Sequence, residues 1–527
     1  MTRKIAVVAS IFILLISAAP AQAQDQESEL RKLIKQSDAL FEQRKFDEFF
    51  DVSKKAMALI ETVPNQKLAE VAEVLNNLAI GYQRQKDFGQ AETLFKRSLE
   101  TAEKAGQGDS VDYVITLGNL ANFYRSQSRF QDEEPLRKRI LAAREKANGL
   151  DDPSVAVALN ELAEHYRLQR SFVDAEPLHR RALTIREKAL PAEHLDIAVS
   201  LNNLALVYRG QRRFAEAEGL AVRALEIADK RRSAEDSRTL LYVDNLGHLY
   251  WDQGKHAQAE VQYQRALGLT EKLYGADSAA VVKRLGELGW SYLEQRRYQQ
   301  AEPMFKRALE IREKKDGPNN PAIAHQIENL ARLYLDWKRY AYAEELYQRM
   351  LAMFEKAAGP SHPSVASGLN NLALLYEHQR YFDKAEPLRK RELAIRETID
   401  GKESSTVAIS LNNLGVLYLN DRNYAEAEVA FKRALEIQEK LFGSNAGVVA
   451  ITLTNQSQLY SYRRQYDKAE PLLRRALAIN EKNSGPNHPR VAGTLDLLVE
   501  ICRETGRRKE AEEMRQRAIQ IYSASRN

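Results

Sequence analysis

An unbroken repeat of 42 residues constrains the fold of this chain more than any other feature of its sequence. The position of Asn77 recurs eleven times at this interval, with no insertion or deletion, and is asparagine in eight copies. A tyrosine follows five residues later in ten copies, beginning with Tyr82, and Cys502 replaces it in the last. Self-similarity at a fixed period of about 20–50 residues indicates stacked repeating units. We therefore expect one continuous array, although 527 residues alone would suggest about three or four domains.

Each repeat is predicted to contain two helices. Apolar residues at helical spacing in the first, called helix A, include Val71, Leu75 and Tyr82. A polar break separates it from a second, helix B, whose apolar face begins at Phe88. The loop that follows carries helix breakers, as in the Gly-Pro-Asn-Asn-Pro run at residues 317–321. Because a two-helix unit cannot bury its apolar face alone, neighbouring units must stack, and the predicted fold class is all-α.

The first 23 residues are predicted to be a secretory signal peptide. Arg3 and Lys4 precede an apolar run, and Ala21-Gln22-Ala23 fits a small-residue cleavage site. The run is short for a membrane span, which needs about 20 residues, so an uncleaved membrane anchor is the weaker alternative. Cleavage after Ala23 would make the protein periplasmic or secreted, with no membrane span in the mature chain.

The rest of the chain is predicted to be repeats. Residues 24–66 keep Phe46 in register with Phe88 but lack the asparagine step, so we interpret them as a degenerate N-terminal capping repeat. Residues 67–527 hold the eleven full repeats and form the predicted solenoid.

Composition and motifs argue against several classes of function. Lys and Arg number 78 against 73 Asp and Glu, which gives nucleic-acid binding no support from overall charge. The nine histidines are scattered, and the single cysteine, Cys502, allows neither an internal disulfide nor a cysteine-rich metal site. The sequence has no phosphate-binding loop or nucleophile motif, and the repeats leave no room for a catalytic domain. We expect no catalytic residue, no metal and no cofactor.

The repeated motif resembles the tetratricopeptide repeat, in the 42-residue form found in kinesin light chains and many bacterial repeat proteins. The resemblance is carried by residues 201–208 (Leu-Asn-Asn-Leu-Ala-Leu-Val-Tyr), 214–218 (Phe-Ala-Glu-Ala-Glu) and 223–227 (Arg-Ala-Leu-Glu-Ile). It implies a right-handed superhelical solenoid of about eleven to twelve helix-turn-helix repeats. It also implies a concave groove that binds an extended peptide or protein segment.

Internal repetition separates structural positions from recognition positions. Glu92 and Arg97 recur in all eleven copies, so we predict for them a role in ion pairing and helix packing. The resemblance places the asparagine slot on the groove, where its amide can hydrogen-bond a peptide backbone. The alternative is that asparagine ties adjacent helices together. The candidate peptide-binding asparagines are Asn119, Asn203, Asn245, Asn329 and Asn371.

Positions that vary between repeats supply the second part of the candidate site. Arg125, Arg167 and Arg209 occupy one slot in three consecutive repeats. Trp251 takes the same slot in the next repeat, and Trp290 lies in the one after it. Because arginine and tryptophan dominate binding hot spots, we predict an acidic ligand segment with a hydrophobic anchor. The alternative is that the arginines are solvated and the tryptophans fill gaps between helices.

The sequence therefore predicts a non-catalytic scaffold of the bacterial envelope that binds protein or peptide segments in a groove. Two alternatives stand beside it: a helical-repeat protein that binds nucleic acid along the arginine run, and a non-catalytic subunit of an envelope enzyme complex. Export and near-neutral charge argue against nucleic acid. The sequence does not identify the partner, and it does not separate a protein partner from a glycan or lipid.

Overall fold

The computed structural model describes residues 28–60, 68–108, 110–231 and 236–526, and these ranges contain helices and turns but no strand. The signal peptide predicted at residues 1–23 lies outside them. The helices are α1 (28–42), α2 (Phe46–Ile60), α3 (Leu68–Arg84), α4 (Phe88–Lys104), α5 (Val111–Ser126), α6 (Phe130–Asn148), α7 (Pro153–Leu168), α8 (Phe172–Ala189), α9 (Leu195–Gly210), α10 (Phe214–Arg231), α11 (Ser237–Asp252), α12 (His256–Tyr274), α13 (Ala279–Glu294), α14 (Tyr298–Asp316), α15 (Ala324–Asp336), α16 (Tyr340–Ala358), α17 (Pro363–His378), α18 (Phe382–Asp400), α19 (Ser405–Asn420), α20 (Tyr424–Phe442), α21 (Gly447–Tyr462), α22 (Tyr466–Ser484), α23 (Pro489–Glu504) and α24 (Arg508–Arg526).

The helices alternate between the predicted helix A, which carries odd numbers, and helix B, which carries even numbers. In α9, Leu201, Leu204 and Tyr208 are buried at helical spacing, as the apolar pattern predicts. They pack toward small residues of α10 such as Ala217, which is fully buried. The predicted all-α solenoid of paired helices is therefore confirmed.

The chain divides into two compact units, Met1–Leu269 and Thr270–Asn527, and the boundary falls inside α12. Within each unit, most helices pack against the helices that precede and follow them in the sequence.

Local signals set the ends of the helices. Helix A commonly begins after a capping side chain: Ser110 Oγ accepts a hydrogen bond from the Tyr113 amide at 3.2 Å at the start of α5. Helix A ends in a three-residue turn whose middle residue has a left-handed backbone, such as Arg170 with φ of 61°. That conformation stops the helix and reverses the chain, so that helix B returns antiparallel to helix A.

Two side-chain contacts recur between neighbouring helix pairs. Tyr124 Oη donates a hydrogen bond to Glu92 Oε1 of the preceding repeat at 3.0 Å, and the same contact joins Tyr166–Glu134, Tyr208–Glu176, Tyr334–Glu302, Tyr376–Glu344, Tyr418–Glu386 and Tyr460–Glu428. Arg139 Nη2 lies 2.6 Å from Glu103 Oε1 of the preceding repeat, and equivalent ion pairs join Arg181–Glu145, Arg223–Glu187, Arg265–Asp229, Arg307–Glu271, Arg349–Glu313, Arg391–Glu355, Arg433–Glu397, Arg475–Glu439 and Arg517–Glu481. The structural role predicted for the repeated glutamate and arginine positions is confirmed.

Candidate ligand-binding face

The asparagine slot lies where successive A helices meet. Asn119 Nδ2 donates a hydrogen bond to Asn76 Oδ1 of the preceding A helix at 3.0 Å. Asn245 Nδ2 donates to Asn202 Oδ1 in the same way at 2.8 Å. These contacts support the interpretation that the asparagine ties adjacent helices together. An amide can donate two hydrogen bonds and accept others, so one such contact still leaves capacity for a ligand.

The other three candidate asparagines are held less uniformly. Asn203 Oδ1 accepts a long hydrogen bond of 3.5 Å from the side-chain Nδ2 of Asn202. In the second unit, Asn371 Nδ2 donates to Glu328 Oε1 of the preceding A helix at 3.3 Å. Asn329 is buried and lies 3.4 Å from His325 Nε2 on its own helix. Peptide binding by all five asparagines stays a prediction.

Two of the predicted arginines are already paired with partly exposed carboxylates. Arg167 Nε lies 2.6 Å from Glu164 Oε2 on the same helix. Arg209 Nε lies 2.6 Å from Asp252 Oδ2 of the next A helix. Solvent screens such pairs, so an acidic ligand would compete with weakly held internal carboxylates rather than meet bare guanidinium groups.

Arg125 belongs to a charged network in the interior. Its Nη2 atom lies 2.6 Å from Oε1 of Glu133, which is fully buried and also contacts Arg137 at 3.0 Å and His165 at 3.1 Å. Burial raises the pKa of Glu133, but hydrogen bonds from Arg125 and His165 outweigh it, and the pKa lies below its usual value. The sequence signal for this network was available, because the slot of Glu133 is alanine in the other ten repeats.

Arg167 and Arg209 line a cavity of about 600 Å³ at the C-terminal ends of α7, α9 and α11. The volume lies within the range of about 300–1,000 Å³ that is usual for ligand pockets. Two arginines that the sequence analysis did not select, Arg170 and Arg212, reach it from the turns after helix A, and Asp252 contributes one carboxylate. The apolar lining comes from Leu168, Phe172, Leu206 and Phe214.

A glycine shapes the wall of this cavity. A Cβ atom at Gly210 would come within 2.4 Å of the Phe172 ring, so the ring lies directly against the end of α9. Four cationic side chains and two phenylalanine rings thus share one concave surface.

The two predicted tryptophans are half-buried and each contacts the following helix B. The Trp251 ring packs edge-on against His256 with centroids 4.9 Å apart. The Trp290 ring packs edge-on against the buried Phe305 at 5.8 Å. Both therefore contribute to packing between helices A and B, and their role in binding stays a prediction.

A row of aliphatic residues runs beside the asparagine slot in the first unit, and sequence reasoning missed it. The aliphatic row consists of Ile115, Val157, Val199 and Leu241, each four residues before the slot and therefore on the same face of helix A. Ile115 is 52% exposed and Leu241 49%. Because the row occupies one slot in four consecutive repeats, comparing that slot between repeats would have found it.

The N-terminal end of the same face is acidic. Asp38, Glu73 and Asp112 line a smaller cavity of about 180 Å³ beside Ile115. Burial raises the pKa of Glu73 to about 7, and the neighbouring charges of Asp38 and Asp112 add to the increase.

The second unit contains a cavity of about 490 Å³ whose lining also combines asparagine-slot residues with an aliphatic residue. Asn371, Asn413 and the 56% exposed Ile409 line it, so an asparagine slot and an aliphatic residue four positions earlier again share one surface. The buried Arg389 lies behind it, with Nη1 2.5 Å from Asn370 Oδ1.

Comparisons with known proteins agree with this architecture. The tetratricopeptide repeat matches residues 31–104, 70–146, 154–230, 236–314, 321–398, 406–482 and 463–524. No curated protein matches the chain. Across the described part of the chain, no helix has the length and apolar character needed to cross a membrane.

Several solved structures are similar to parts of the chain. BtubC (BKLC) from P. vanneervenii is 25% identical over 44% of this chain and 92% of its own, with a TM-score of 0.38. A putative kinesin light chain from Podosopora anserina with nearly identical TPR-like repeats is 21% identical over 38% of this chain and 95% of its own, with a TM-score of 0.36. The apo form of RapI is 13% identical over 70% of this chain and 98% of its own, with a TM-score of 0.47.

Proposed function

We propose that this chain, which belongs to the tetratricopeptide repeat family, is a non-catalytic scaffold. It binds an extended protein segment on the face of its A helices. The asparagine slot would hydrogen-bond the backbone of the ligand, and variable side chains would read its sequence. The residues proposed to contact ligand are Asn119, Asn203, Asn245, Asn329, Asn371, Arg125, Arg167, Arg209, Trp251 and Trp290.

The cavity beside Arg167 and Arg209 is the observation that supports this proposal most strongly. Four arginines against two carboxylates, Asp252 in the lining and Glu164 paired with Arg167, favour an acidic ligand group, and the rings of Phe172 and Phe214 favour an apolar or aromatic anchor next to it. The aliphatic row adds exposed apolar surface nearer the N-terminal ends of these A helices. An acidic segment with a hydrophobic anchor fits this combination.

Exchange of carboxylates is energetically feasible at this site. The Arg167–Glu164 and Arg209–Asp252 pairs are partly exposed, and such pairs contribute only about 0–1 kcal/mol. A ligand carboxylate can therefore replace an internal one at little cost. The internal pairs also hold the guanidinium groups in place before the ligand arrives.

Removing the two arginines tests the proposal. We expect Arg167→Ala combined with Arg209→Ala to weaken binding of an acidic peptide with one aromatic anchor, and to flatten the salt dependence of the affinity, because two charges that salt screens are gone. Titration calorimetry at two salt concentrations measures both effects. Both side chains are partly exposed, so the melting temperature should not change.

A charge-matched variant is the control. Lys188→Ala combined with Lys230→Ala removes the same charge from exposed positions on helix B and should bind the peptide like the wild type. An equal loss in the control would indicate non-specific attraction. Unchanged affinity in the arginine variant would place the site elsewhere.

We also propose that the scaffold acts in the periplasm or is secreted. The support is the order of the N-terminal residues: Arg3 and Lys4, an apolar run, then Ala21-Gln22-Ala23. N-terminal sequencing of the protein from its native host should begin at Gln24. A retained Met1 would contradict export through this segment.

A further inference from the structure

The turn between helices A and B carries an unusual residue choice. Its middle residue has a positive φ in all twelve helix pairs of the described ranges, a conformation that favours glycine. Glycine fills it only at Gly254 and Gly506, and Ser128 fills it once. The other nine are arginine or lysine: Arg44, Lys86, Arg170, Arg212, Arg296, Lys338, Arg380, Arg422 and Arg464. Long cationic side chains thus occupy backbone positions at which glycine would be favoured.

In the second unit these cations follow one another in five consecutive repeats. The cationic edge is defined as Arg296, Lys338, Arg380, Arg422 and Arg464, all of which are exposed. Among the residues that the structure describes, none of the five forms an ion pair. The arginines of helix B behave differently, since Arg391 and Arg433 each pair with a glutamate of the preceding repeat. The cationic edge is therefore both strained and uncompensated in charge.

The five turns lie along one side of the second unit. The contacts Tyr376–Glu344, Tyr418–Glu386 and Tyr460–Glu428 join the end of helix A to the start of the preceding helix B, and so flank successive turns with the same geometry. Helices that pack in this way lie about 8–10 Å apart. The cations therefore form a line with one charge per repeat.

The composition of the turns indicates what the line can bind. Residues 295–297, 337–339, 379–381, 421–423 and 463–465 hold eight arginines or lysines and one acid, Asp421. Their other polar residues are mainly amides, such as Gln295, Gln379 and Asn423, which both donate and accept hydrogen bonds. Such a surface suits a polymer that carries regular anionic groups and many hydroxyls.

The five turns hold two aromatic residues, Trp337 and Tyr381, and only Tyr381, which is 47% exposed, offers an open ring. Trp337 stacks on Tyr298 with centroids 5.8 Å apart, and the Arg339 guanidinium lies 3.9 Å from its ring centroid. Lys384 Nζ lies 5.3 Å from the Tyr381 ring. Binding of single-stranded nucleic acid usually uses a series of open aromatic faces on which successive bases stack, and one exposed ring in five turns does not supply such a series. The turns also lack the aliphatic residues that would insert into a lipid surface.

We propose that the cationic edge binds a linear acidic polysaccharide. Its guanidinium and ammonium groups pair with carboxylate or sulfate groups of the polymer, and the turn amides hydrogen-bond the hydroxyls. The edge belongs to the second unit, so it is a different surface from the cavity beside Arg167 and Arg209, where the equivalent turn residues Arg170 and Arg212 line the proposed protein-binding site.

Glycine substitution tests the edge without damage to the fold. A variant with Arg296→Gly, Lys338→Gly, Arg380→Gly, Arg422→Gly and Arg464→Gly removes five charges and relieves five positive-φ backbones. We expect its affinity for polygalacturonate, measured by titration of the full chain, to fall at least about tenfold with a weaker salt dependence. Its melting temperature should equal or exceed that of the wild type, since glycine already occupies this position at Gly254 and Gly506.

Two further variants separate the site from bulk charge. Exchanging arginine and lysine at the same five positions should preserve binding. Neutralising five exposed lysines at the other end of the helix pairs should leave it unchanged; these are Lys315, Lys356, Lys402, Lys440 and Lys482. An equal loss in this last variant, or no binding by the wild type, would overturn the proposal.

Other polyanions provide the remaining outcomes. Tighter binding of oligothymidylate than of polygalacturonate, dependent on the same five residues, would overturn the proposal in favour of nucleic acid. Tighter binding of phosphatidylglycerol vesicles would overturn it in favour of a membrane surface. Binding of heparin as well as polygalacturonate would support it, with sulfate as the second anionic group.

Discussion

At the scale of single residues, small side chains mark the places where rings of helix B lie against helix A. A Cβ atom at Gly289 would come within 2.6 Å of the Phe305 ring, and one at Gly415 would come equally close to Phe431. The same slot is alanine in repeats such as that of Ala205. Gly247 meets the Tyr263 ring in the same way, so all three glycines of this slot lie against a ring. A ring does not exclude alanine, because Ala79 and Ala331 fill the slot in repeats whose helix B carries Phe95 and Tyr347 at the facing position.

Substitution of two glycines on α13 separates packing from helix propensity. We expect Gly289→Ala to lower the free energy of unfolding by about 1–3 kcal/mol, because the new methyl group overlaps the Phe305 ring. Gly286→Ala on the same helix meets nothing within 4 Å and should raise it by up to about 1 kcal/mol. Thermal and urea unfolding measure both. Equal changes in the two variants would mean that Phe305 moves aside.

Residue identity in the sequence predicted some side-chain roles and not others. The repeated glutamate was assigned a structural role because it never varies, and its contacts with tyrosine bear this out. Arg125 could not be separated from Arg167 by its slot alone. The difference is the buried Glu133, whose Oε1 atom lies 2.6 Å from Arg125 Nη2. Arg167 and Arg209 pair instead with partly exposed carboxylates. A role that depends on a long-range contact is not visible at one position.

At the scale of helices, the spacing of apolar residues predicted the helices and their buried faces more fully than it predicted the turns between them. Two helices per repeat and their buried faces follow from side-chain spacing, because a helix repeats its contacts every 3.6 residues. The left-handed residue that ends helix A has no such signal, since arginine and lysine fill it at positions such as Arg212 and Lys338. The prediction of a polar break is confirmed, but the left-handed backbone of its middle residue could not be predicted from residue identity.

A core leucine tests how far one helix pair depends on the next. Leu204 is 3% exposed on α9, and Leu204→Ala should lower the local stability by about 2–5 kcal/mol through the cavity it leaves. Hydrogen exchange should accelerate first in α9 and the helices that contact it, because repeat proteins are stabilised mainly by neighbours. Val173→Ala, at an 80% exposed position on α8, is the control and should leave exchange unchanged. A uniform increase along the chain would contradict nearest-neighbour coupling.

At the scale of the whole molecule, stability rests on carboxylates repeated from pair to pair. A hydrogen bond from Arg129 is the main cause that lowers the pKa of Glu92 to about 2. For Glu176, burial raises the pKa, but hydrogen bonds from Gln211, Arg213 and Arg180 outweigh it, and the pKa is again about 2. Equivalent glutamates such as Glu428 also have lowered pKa values. The interfaces between repeats therefore depend on ionised acids.

Acid should consequently loosen the interfaces between repeats. A carboxyl whose pKa is lower in the folded than in the unfolded chain stabilises the fold above its unfolded pKa, and this stabilisation is lost as pH falls through the folded value. For Glu92 and Glu176 the window runs from the usual 4.5 down to about 2. The melting temperature should fall across this range, and Glu92→Gln should reduce the dependence. A melting temperature that is constant from pH 5 to pH 2 would contradict this account.

The contacts between neighbouring repeats join residues at a constant sequence separation. This constrains how the number of repeats encoded by the gene can change. Most pairs present a tyrosine and an arginine to the preceding pair and two acidic residues to the following one, as Tyr376 and Arg391 and then Glu386 and Glu397 show. Unequal recombination that adds or removes one whole 42-residue period leaves every junction with a complete set of partners. An insertion or deletion of one or two codons moves the partner residues of a junction out of register. The length of the array is thus open to evolution in steps of one period, whereas the period itself is fixed by selection on its junctions.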